Sequence, residues 1–445
     1  MGLVLFGCSA SAPAATPTGD RAEIFMPPAT PAPSAFGAPA QPSPSPVVTR
    51  AAAAVPGTSP VVGASPRAPG SLGTFASPAP IGRPSAAVSP SPVALTPPGP
   101  LAGTLVYARD GRIVAQGAAG GDPSMLVAGS DLSAPRLSPD GRMVLYVGGV
   151  GQAAEFYVVP VAGGAPRRLT SNARPERGAS WSPWGTGIAY TLPRAVAPSG
   201  EPIRMEPDEI WIHDVATGAS RKLADGFDPA WSPDGTRLAY ATNGRRTDQG
   251  ATENAIAVIG VDGQAGRAVL EVSALQRDLQ PILNIPFRPD TVRLRAPAWA
   301  PDGRRLVASA DGHTSMAATF DDQGQDIRIW ALAYEGSVGV AHWAPRGERL
   351  AVESRPATGV GAVVLIDITS GLERRVGGMQ AGFSARAPAW SPDGSRLALL
   401  TGAPIDEASP RAVQSELSLI EPDGALVREV ARGSIRDPHW GTGSP

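Results

Sequence analysis

One short motif returns at regular intervals through most of this chain and restricts what the chain can fold into. The motif is Trp, then Ser or Ala, Pro, one variable residue and Gly, as in Trp231-Ser232-Pro233-Asp234-Gly235. Six copies begin at Leu137, Trp181, Trp231, Trp299, Trp343 and Trp390, the first with Leu in place of Trp. Trp440 closes the series without the Pro-Asp-Gly. Successive spacings are 44, 50, 68, 44, 47 and 50 residues. Repetition at this period indicates one structural unit per repeat.

Each repeat is interpreted as a small antiparallel sheet. Pro presets φ in a tight turn, Asp bonds back to the backbone and Gly accepts a positive φ, so the motif predicts a hairpin. Alternating apolar strands such as 209–213 and 237–241, and a short polar strand such as 221–223, complete the unit. Four strands per repeat predict an all-β fold, a β-propeller of four-stranded blades. The repeated Trp is interpreted as packing between neighbouring blades.

The ends of the repeat region predict the number of blades. Three strand-like pieces, 104–108, 112–116 and 124–128, precede Leu137, and a lone first strand around Asp437-Pro438-His439-Trp440 follows the sixth full repeat. One strand and three strands make a seventh blade, closed by pairing the C-terminal strand with the N-terminal ones. Seven blades are predicted, with six or eight left as alternatives.

The repeat frame, Trp-Ser-Pro-Asp-Gly-x-x-[Leu/Ile]-Ala-[Tyr/Phe], resembles the TolB-type or PD-type repeat, a WD-like β-propeller repeat of bacterial envelope proteins. The resemblance covers nearly all of residues 101–445. It implies the propeller fold and leaves the function open. Relatives of this type serve as periplasmic interaction scaffolds and as the propeller part of prolyl-oligopeptidase-like enzymes.

Residues 9–100 have a composition that does not support a folded core. They are mainly Ala, Pro, Ser, Thr and Gly; residues 1–100 hold 22 of the 49 prolines, and all nine Trp lie beyond residue 180. Proline removes backbone donors and favours extended neighbours, so neither helix nor sheet propagates. Three segments are therefore predicted: a signal-like remnant (1–8), a disordered linker (9–100) and a propeller domain (101–445).

The single cysteine, Cys8, directly follows a short apolar run at the start of the sequence. Met1-Gly2-Leu3-Val4-Leu5-Phe6-Gly7-Cys8 resembles the lipobox of bacterial lipoproteins, with small Gly7 before Cys8, although it lacks a basic n-region. The resemblance implies lipidation of Cys8 and an extracytoplasmic, membrane-anchored lipoprotein, periplasmic or on the cell surface. The alternative is a disordered N-terminus with a chance Cys.

Charge and motif content exclude several function classes. A net charge of −2 gives no broad attraction for nucleic acid. One Cys excludes internal disulfides and cysteine-rich metal sites. No Gly-x-Ser-x-Gly elbow, P-loop or His-Glu-x-x-His is present, so no catalytic residue and no cofactor is predicted.

Loop lengths predict a binding face. Every long insertion, at 193–208, 243–254, 271–296, 310–325 and 402–414, is placed in a connection between second and third strands or between blades, which open on one side. Long loops gathered on a rigid scaffold commonly bind partners. The candidate side chains for a protein or glycan partner are Arg204, Arg245, Arg246, Arg288, Arg293, Asp321 and Asp322.

Two further clusters are weaker candidates for a cation or a reaction. Asp311, His313, Asp321, Asp322 and Asp326 offer oxygen and nitrogen ligands, but their spacing fits no EF-hand, so a solvated acidic loop is favoured. His342 and His439 precede motif tryptophans on innermost strands, with Arg136 at the matching place of another blade. The two histidines could bind a metal ion or act as a general base in the central channel. The alternative is that they make ordinary hydrogen bonds within the channel wall.

Three functions follow from these patterns. The first is a non-catalytic, membrane-tethered interaction scaffold, monomeric or part of a larger envelope complex. The second is an enzyme of lactonase, lyase or glycosidase type, or a small-ligand or metal-binding protein, that uses the central channel through His342, His439 and Arg136. The third is a structural component of a cell-surface layer.

Overall fold

Four-stranded antiparallel sheets account for nearly all of the described chain. The structure, a computed structural model, describes residues 101–441 except 172–173, 194–206, 247–251, 280–291, 335, 356–359, 377–383 and 403–413. The predicted signal-like segment and linker, residues 1–8 and 9–100, lie outside the described residues.

The strands follow in chain order, and the first three belong to the blade that closes the ring. They are β1 (Thr104–Arg109), β2 (Arg112–Gly117) and β3 (Ser124–Val127). Blade 1 contains β4 (Leu132–Leu137), β5 (Met143–Gly148), β6 (Glu155–Pro160) and β7 (Arg167–Arg168). Blade 2 contains β8 (Arg177–Trp181), β9 (Gly187–Leu192), β10 (Glu209–Asp214) and β11 (Ser220–Asp225).

Blade 3 carries an inserted hairpin and is followed by a helix. Its strands are β12 (Phe227–Trp231), β13 (Arg237–Ala241), β16 (Ala255–Gly260) and β17 (Arg267–Glu271). The hairpin is β14 (Arg245–Arg246) and β15 (Thr252–Glu253), and the helix is α1 (Val272–Leu279).

The remaining blades repeat the same order. Blade 4 contains β18 (Arg293–Trp299), β19 (Arg305–Asp311), β20 (Thr314–Asp321) and β21 (Arg328–Tyr334). Blade 5 contains β22 (Ser337–Trp343), β23 (Arg349–Arg355), β24 (Ala362–Asp367) and β25 (Leu372–Val376). Blade 6 contains β26 (Ser384–Trp390), β27 (Leu397–Gly402), β28 (Ser415–Ile420) and β29 (Leu426–Gly433), and β30 (Ile435–Gly441) follows.

The last strand closes the ring as the sequence predicts. β30 pairs antiparallel with β1, Thr104 opposite Gly441 and Leu105 opposite Trp440, in a sheet of order β3-β2-β1-β30. This mixed sheet is blade 7, so the fold is a seven-bladed β-propeller and the prediction is confirmed. The first and the last of the described strands thus lie in one blade, and each described innermost strand is paired with the second strand of its blade.

The motif turn is held by the Asp hydrogen bonds and the positive φ of Gly that the sequence predicts. In blade 6 the Gly394 N–H donates to the Ser391 carbonyl (2.8 Å), and Gly394 adopts a φ of +69°. Ser391 Oγ donates to Asp393 Oδ1 (2.6 Å) and accepts from the Arg396 N–H (2.9 Å). The Asp of this motif is thus a turn residue that orders the start of the second strand.

In four blades the motif Trp donates a hydrogen bond to the blade before it. Trp390 of blade 6 is buried, and its indole Nε1 donates to the His342 carbonyl of blade 5 (2.9 Å). Trp181, Trp231 and Trp343 make the equivalent bond to Arg136, Ser180 and Ala298. The predicted packing role is therefore extended by a hydrogen bond that the sequence pattern did not reveal.

An arginine after the turn adds a second inter-blade contact in three blades. The Arg349 guanidinium lies 5.6 Å from the centroid of the Trp390 ring and donates to the Gly394 carbonyl at 3.3 Å. Arg237 and Arg305 hold Trp299 and Trp343 of their next blades in the same way. Each guanidinium thus joins one blade to both the ring and the turn of its neighbour.

The two faces of the propeller differ in the length of their connections. We call the face with the one-to-two and three-to-four connections the short-turn face; between described strands these hold at most six residues, as in 138–142 and 261–266. The other is the long-loop face, and its long connections are 193–208, 242–254, 272–292 and 403–414. Three of these four belong to blades 2 and 3 or the connection that follows blade 3.

One predicted insertion is wrong. Residues 310–325 were expected in the long-loop face, but β19 and β20 run through most of this range and only 312–313 connect them. The run Ser315-Met316-Ala317-Ala318 has no β-branched or aromatic residue to mark a strand, yet it is buried as part of the third strand.

Candidate functional site

The innermost strands carry a bulge where they face the central channel. In blade 1 the pairing of β4 with β5 shifts between Ser133 and Arg136, and Ala134 takes a φ of +50°. The matching residues of five other blades also have positive φ: Gly178, Asp228, Ala296, Ala387 and Asp437. Such a bulge locally changes the direction of the strand and of the side chains that follow it.

Acidic side chains tie these bulges together across blades. Asp437 Oδ2 of blade 7 accepts the Ala134 N–H of blade 1 at 3.0 Å. Asp228 of blade 3 accepts the Ala296 N–H of blade 4 at 3.1 Å, and Glu353 of blade 5 accepts the Ala387 N–H of blade 6 at 3.2 Å. Sequence reasoning missed these residues, although the recurring residue-Pro pair before the motif was visible in five repeats.

A cavity of about 750 Å³ occupies the channel and reaches the short-turn face. Its wall comes from the innermost strands of blades 1, 2, 5, 6 and 7, together with Glu353, and from motif prolines such as Pro139. Arg136, His342 and His439, which the sequence placed at matching positions, all line this cavity. The structure therefore brings the three predicted channel residues together.

Burial controls the protonation of this cluster. Burial, with the positive charge of Arg136, lowers the pKa of His342 to about 4. The same two causes and His342 lower the pKa of His439 to about 3. Both imidazoles are therefore neutral near pH 7. Burial also lowers the pKa of Arg136, and the charge of Asp437 opposes this.

A second cavity, of about 420 Å³, opens on the long-loop face between blades 2 and 3. Its wall includes the carboxylates of Asp225, Glu253 and Glu271, and the amides of Asn243 and Asn254. Asn243 joins the two blades, since its side chain accepts the Asp208 N–H (3.1 Å) and donates to the Asp208 carbonyl (2.9 Å). The cavity thus has a polar wall at the seam of the two blades.

The predicted interaction residues are partly placed by the structure. Arg204 and Arg288 lie outside the described residues. Arg245 and Arg246 form β14 on the long-loop face, with Arg245 opposite Glu253. Arg293 begins β18 on the same face, and its guanidinium stands 4.6 Å from the Phe227 ring centroid.

Two predicted interaction residues lie on the wrong face. Asp321 ends β20 and Asp322 begins the three-to-four connection, on the short-turn face. Asp321 Oδ1 accepts the Gln323 N–H at 3.0 Å, and Asp322 pairs with Arg237 at 2.8 Å. They order a turn and a blade contact, because the chain pairs as a strand where a loop was expected.

The predicted acidic cluster is likewise divided. Asp311 forms an ion pair with Arg295, and His313 is exposed in the connection between β19 and β20. The eight residues of β20 separate these from Asp321, about 25 Å at the usual rise per residue. Within the described ranges no group of three or more His, Cys, Asp or Glu side chains is arranged to hold a metal ion.

No protein-family model matches the chain. An uncharacterized peptidase, YuxL of Bacillus subtilis (strain 168), is 28% identical over 145 residues, which are 26% of this chain and 22% of that protein, about a fifth of its length.

Solved structures similar to this chain include TolB from Acinetobacter baumannii, at 16% identity and a TM-score of 0.43, covering 75% of this chain and 79% of that one. An oligogalacturonate lyase in complex with manganese is similar at 14% identity and a TM-score of 0.47, covering 74% and 85%. Such likeness concerns the fold alone. The prediction of a β-propeller is confirmed by the strand order of the sheets themselves.

Proposed function

We propose that this propeller is a non-catalytic interaction module that binds a protein partner through its long-loop face. The observation that carries the proposal is the concentration of long connections, 193–208, 242–254 and 272–292, around blades 2 and 3. The opposite face repeats short turns of nearly constant length, which offer little loop surface to a protein partner.

The described part of this face has the chemistry of a polar protein interface. The cavity between blades 2 and 3 presents three carboxylates, and the hairpin β14–β15 and Arg293 place basic residues near it. Charges of both signs on a rigid rim favour a charged partner in one orientation. Glu253 is itself held in place, because its Oε1 accepts the Ser273 N–H of α1 at 2.7 Å.

Photo-crosslinking from the two faces tests the proposal. A photoreactive residue at Arg245, on the long-loop face, is expected to capture a discrete protein in cells, whereas one at the exposed Arg346 of the short-turn face is not. The captured protein, once purified, should bind the chain at least about tenfold more weakly when 244–252 is replaced by Gly-Gly. This replacement keeps Thr242, Asn243, Glu253 and Asn254, which have structural bonds.

Arg346→Ser is the matched control and should bind as the unaltered chain does. Equal capture from both faces, or unchanged affinity after shortening, contradicts the proposal. If no protein is captured and the chain is retained on isolated cell-wall polysaccharide, the partner is a glycan and not a protein.

We further propose that the module works outside the cytoplasm, anchored through lipid on Cys8 and held away from the membrane by residues 9–100. The lipobox-like residues before Cys8 and the proline-rich composition support this. Within the described residues no helix is long and apolar enough to cross a membrane. Labelled palmitate should be incorporated into the chain and lost in Cys8→Ser; labelling that persists in Cys8→Ser contradicts the anchor.

A further inference from the structure

The central channel contains an arginine, Arg136, that forms no ion pair with the described residues, although the charge of Asp437 acts on it. Among the described residues the Arg136 guanidinium makes one hydrogen bond, from Nη1 to the carbonyl of neighbouring Pro135 at 3.0 Å, and no ion pair within 4 Å. Its backbone is fixed, because the Arg136 carbonyl accepts Trp181 Nε1 at 3.1 Å. The Arg136 side chain is half-buried, and a partly desolvated cation with most donors unused is costly unless water or an anion completes its hydrogen bonds.

The side chains beside Arg136 present further donors to the same space. The Leu137 N–H donates to His439 Nδ1 at 3.4 Å, so the proton of the neutral ring is on Nε2. The imidazole of His342 has no hydrogen-bond partner among the described residues, and it lines the same cavity. One guanidinium and two neutral imidazoles thus share one cavity.

The carboxylates of the cavity wall are already occupied. Glu353 pairs with Arg355 at 2.6 Å and accepts the Ala387 N–H, and Asp437 accepts the Ala134 N–H. Blades 2 and 6 contribute no titratable side chain to the wall. The titratable groups that face the cavity are therefore Arg136, His342, His439, Glu353 and Asp437.

We propose that the channel is a binding site for a small carboxylate, held by Arg136 between His342 and His439 and entered from the short-turn face. This site lies on the other side of the ring from the proposed partner surface and goes beyond that function. The guanidinium fork fits a planar carboxylate with two parallel hydrogen bonds. A cavity of about 750 Å³ is of the size that encloses small ligands.

Binding should also take up protons. A bound carboxylate offsets the charge of Arg136 and accepts hydrogen bonds from the imidazoles, so it favours their charged forms. The free chain at pH 5 holds both imidazoles largely neutral, since their pKa values lie at about 4 and about 3. Proton uptake is therefore expected at pH 5 and not at pH 8.

The chain has four histidines, which makes ¹⁵N-histidine NMR a direct test on the full chain. Acetate and succinate should shift the ring signals of His342 and His439 and leave those of His213 and His313, which lie outside the cavity, unchanged. Acetamide, the neutral analogue of acetate, should have no effect. Calorimetry in two buffers of different ionisation enthalpy measures the proton uptake.

Substitutions make the assignment specific. Arg136→Met should weaken succinate binding about tenfold or more, whereas Arg142→Ser, an exposed residue of the nearby turn, should not. His342→Asn should reduce the proton uptake that accompanies succinate binding at pH 5. Melting temperatures of the variants separate lost binding from lost folding.

Three results overturn the proposal: equal shifts of all four histidine signals, binding of inorganic phosphate without carboxylate, or full succinate affinity in a folded Arg136→Met chain. If Arg136→Met does not fold, Arg136→Gln is used in its place under the same criteria.

Discussion

At the residue scale, the motif Trp acts as a hydrogen-bond donor as well as an apolar wedge. Trp390 and Trp299 are equally buried, and each lies under an arginine of the preceding blade. They differ in one respect, because Trp390 Nε1 bonds the His342 carbonyl while Trp299 Nε1 is buried with no partner among the described residues. This pair isolates the contribution of the bond.

Trp390→Phe should lower the free energy of unfolding by about 1 kcal/mol more than Trp299→Phe, because it also removes a buried hydrogen bond and leaves a carbonyl unpaired. Urea denaturation of both variants measures the difference. Equal losses in the two variants would show that the inter-blade bond adds nothing to packing.

At the element scale, the motif turn forms with and without its serine. In blades 4 and 5, Ala300 and Ala344 occupy the serine position, yet the Gly303 and Gly347 N–H groups still close the turn on these alanines at 2.9 and 2.8 Å. Ser391 therefore does not create the turn; it orders the residues that lead into the second strand, through its bonds to Asp393 and to the Arg396 N–H.

Ser391→Ala is expected to cost about 1 kcal/mol without changing the fold, since it removes the acceptor of the Arg396 N–H. Ala344→Ser, the reverse change in blade 5, is the control and should not destabilise. Thermal denaturation and circular dichroism measure both. A change of secondary structure in Ser391→Ala contradicts this account.

The strands and turns differ in how much of their structure can be predicted from the local sequence. The turns and the blade frame follow from local chemistry, so Pro and Gly at fixed offsets predicted them. The bulge at Asp437 and the third strand through Met316 depend on contacts with residues of other strands and blades, and no local pattern contains those. For the same reason Arg136, His342 and His439 could be placed on matching strands, while the carboxylate bridges of Asp437 and Glu353 were missed.

At the scale of the whole molecule, stability depends on closing the ring. β30 supplies the buried Ile435 and Trp440 and pairs only with β1 among the described strands. Without it, β1 becomes an open edge and the facing surface of blade 1 loses its cover. Burial of a Trp in such a seam is worth about 3–5 kcal/mol.

Deleting residues 435–445 should therefore abolish cooperative unfolding near the original melting temperature and lead to aggregation. Deleting 442–445 alone, which leaves β30 complete, is the matched control. Calorimetry of both chains gives the answer, and a chain ending at residue 434 that melts like the full one refutes closure.

Acid should destabilise the folded ring. The folded-state pKa values of His342 and His439, about 4 and about 3, lie below the usual 6.5, so the unfolded chain binds more protons between these values. The stability is fully present above about pH 6.5 and is lost as pH falls toward 3. The melting temperature should fall over this range, and less steeply in His342→Asn; an unchanged slope contradicts the assignment.

Blade 7 also determines how the propeller resists mechanical force. The chain enters the ring at Thr104, opposite Gly441, on the short-turn face, and β1 lies inside its sheet between β2 and β30. A pull on the preceding segment therefore acts along β1 and must shear two ladders of hydrogen bonds at once, whereas a pull on the C-terminus acts on β30, which has a ladder on one side only. The propeller should resist force through its N-terminal end better than through its C-terminal end, as the proposed N-terminal anchor would require.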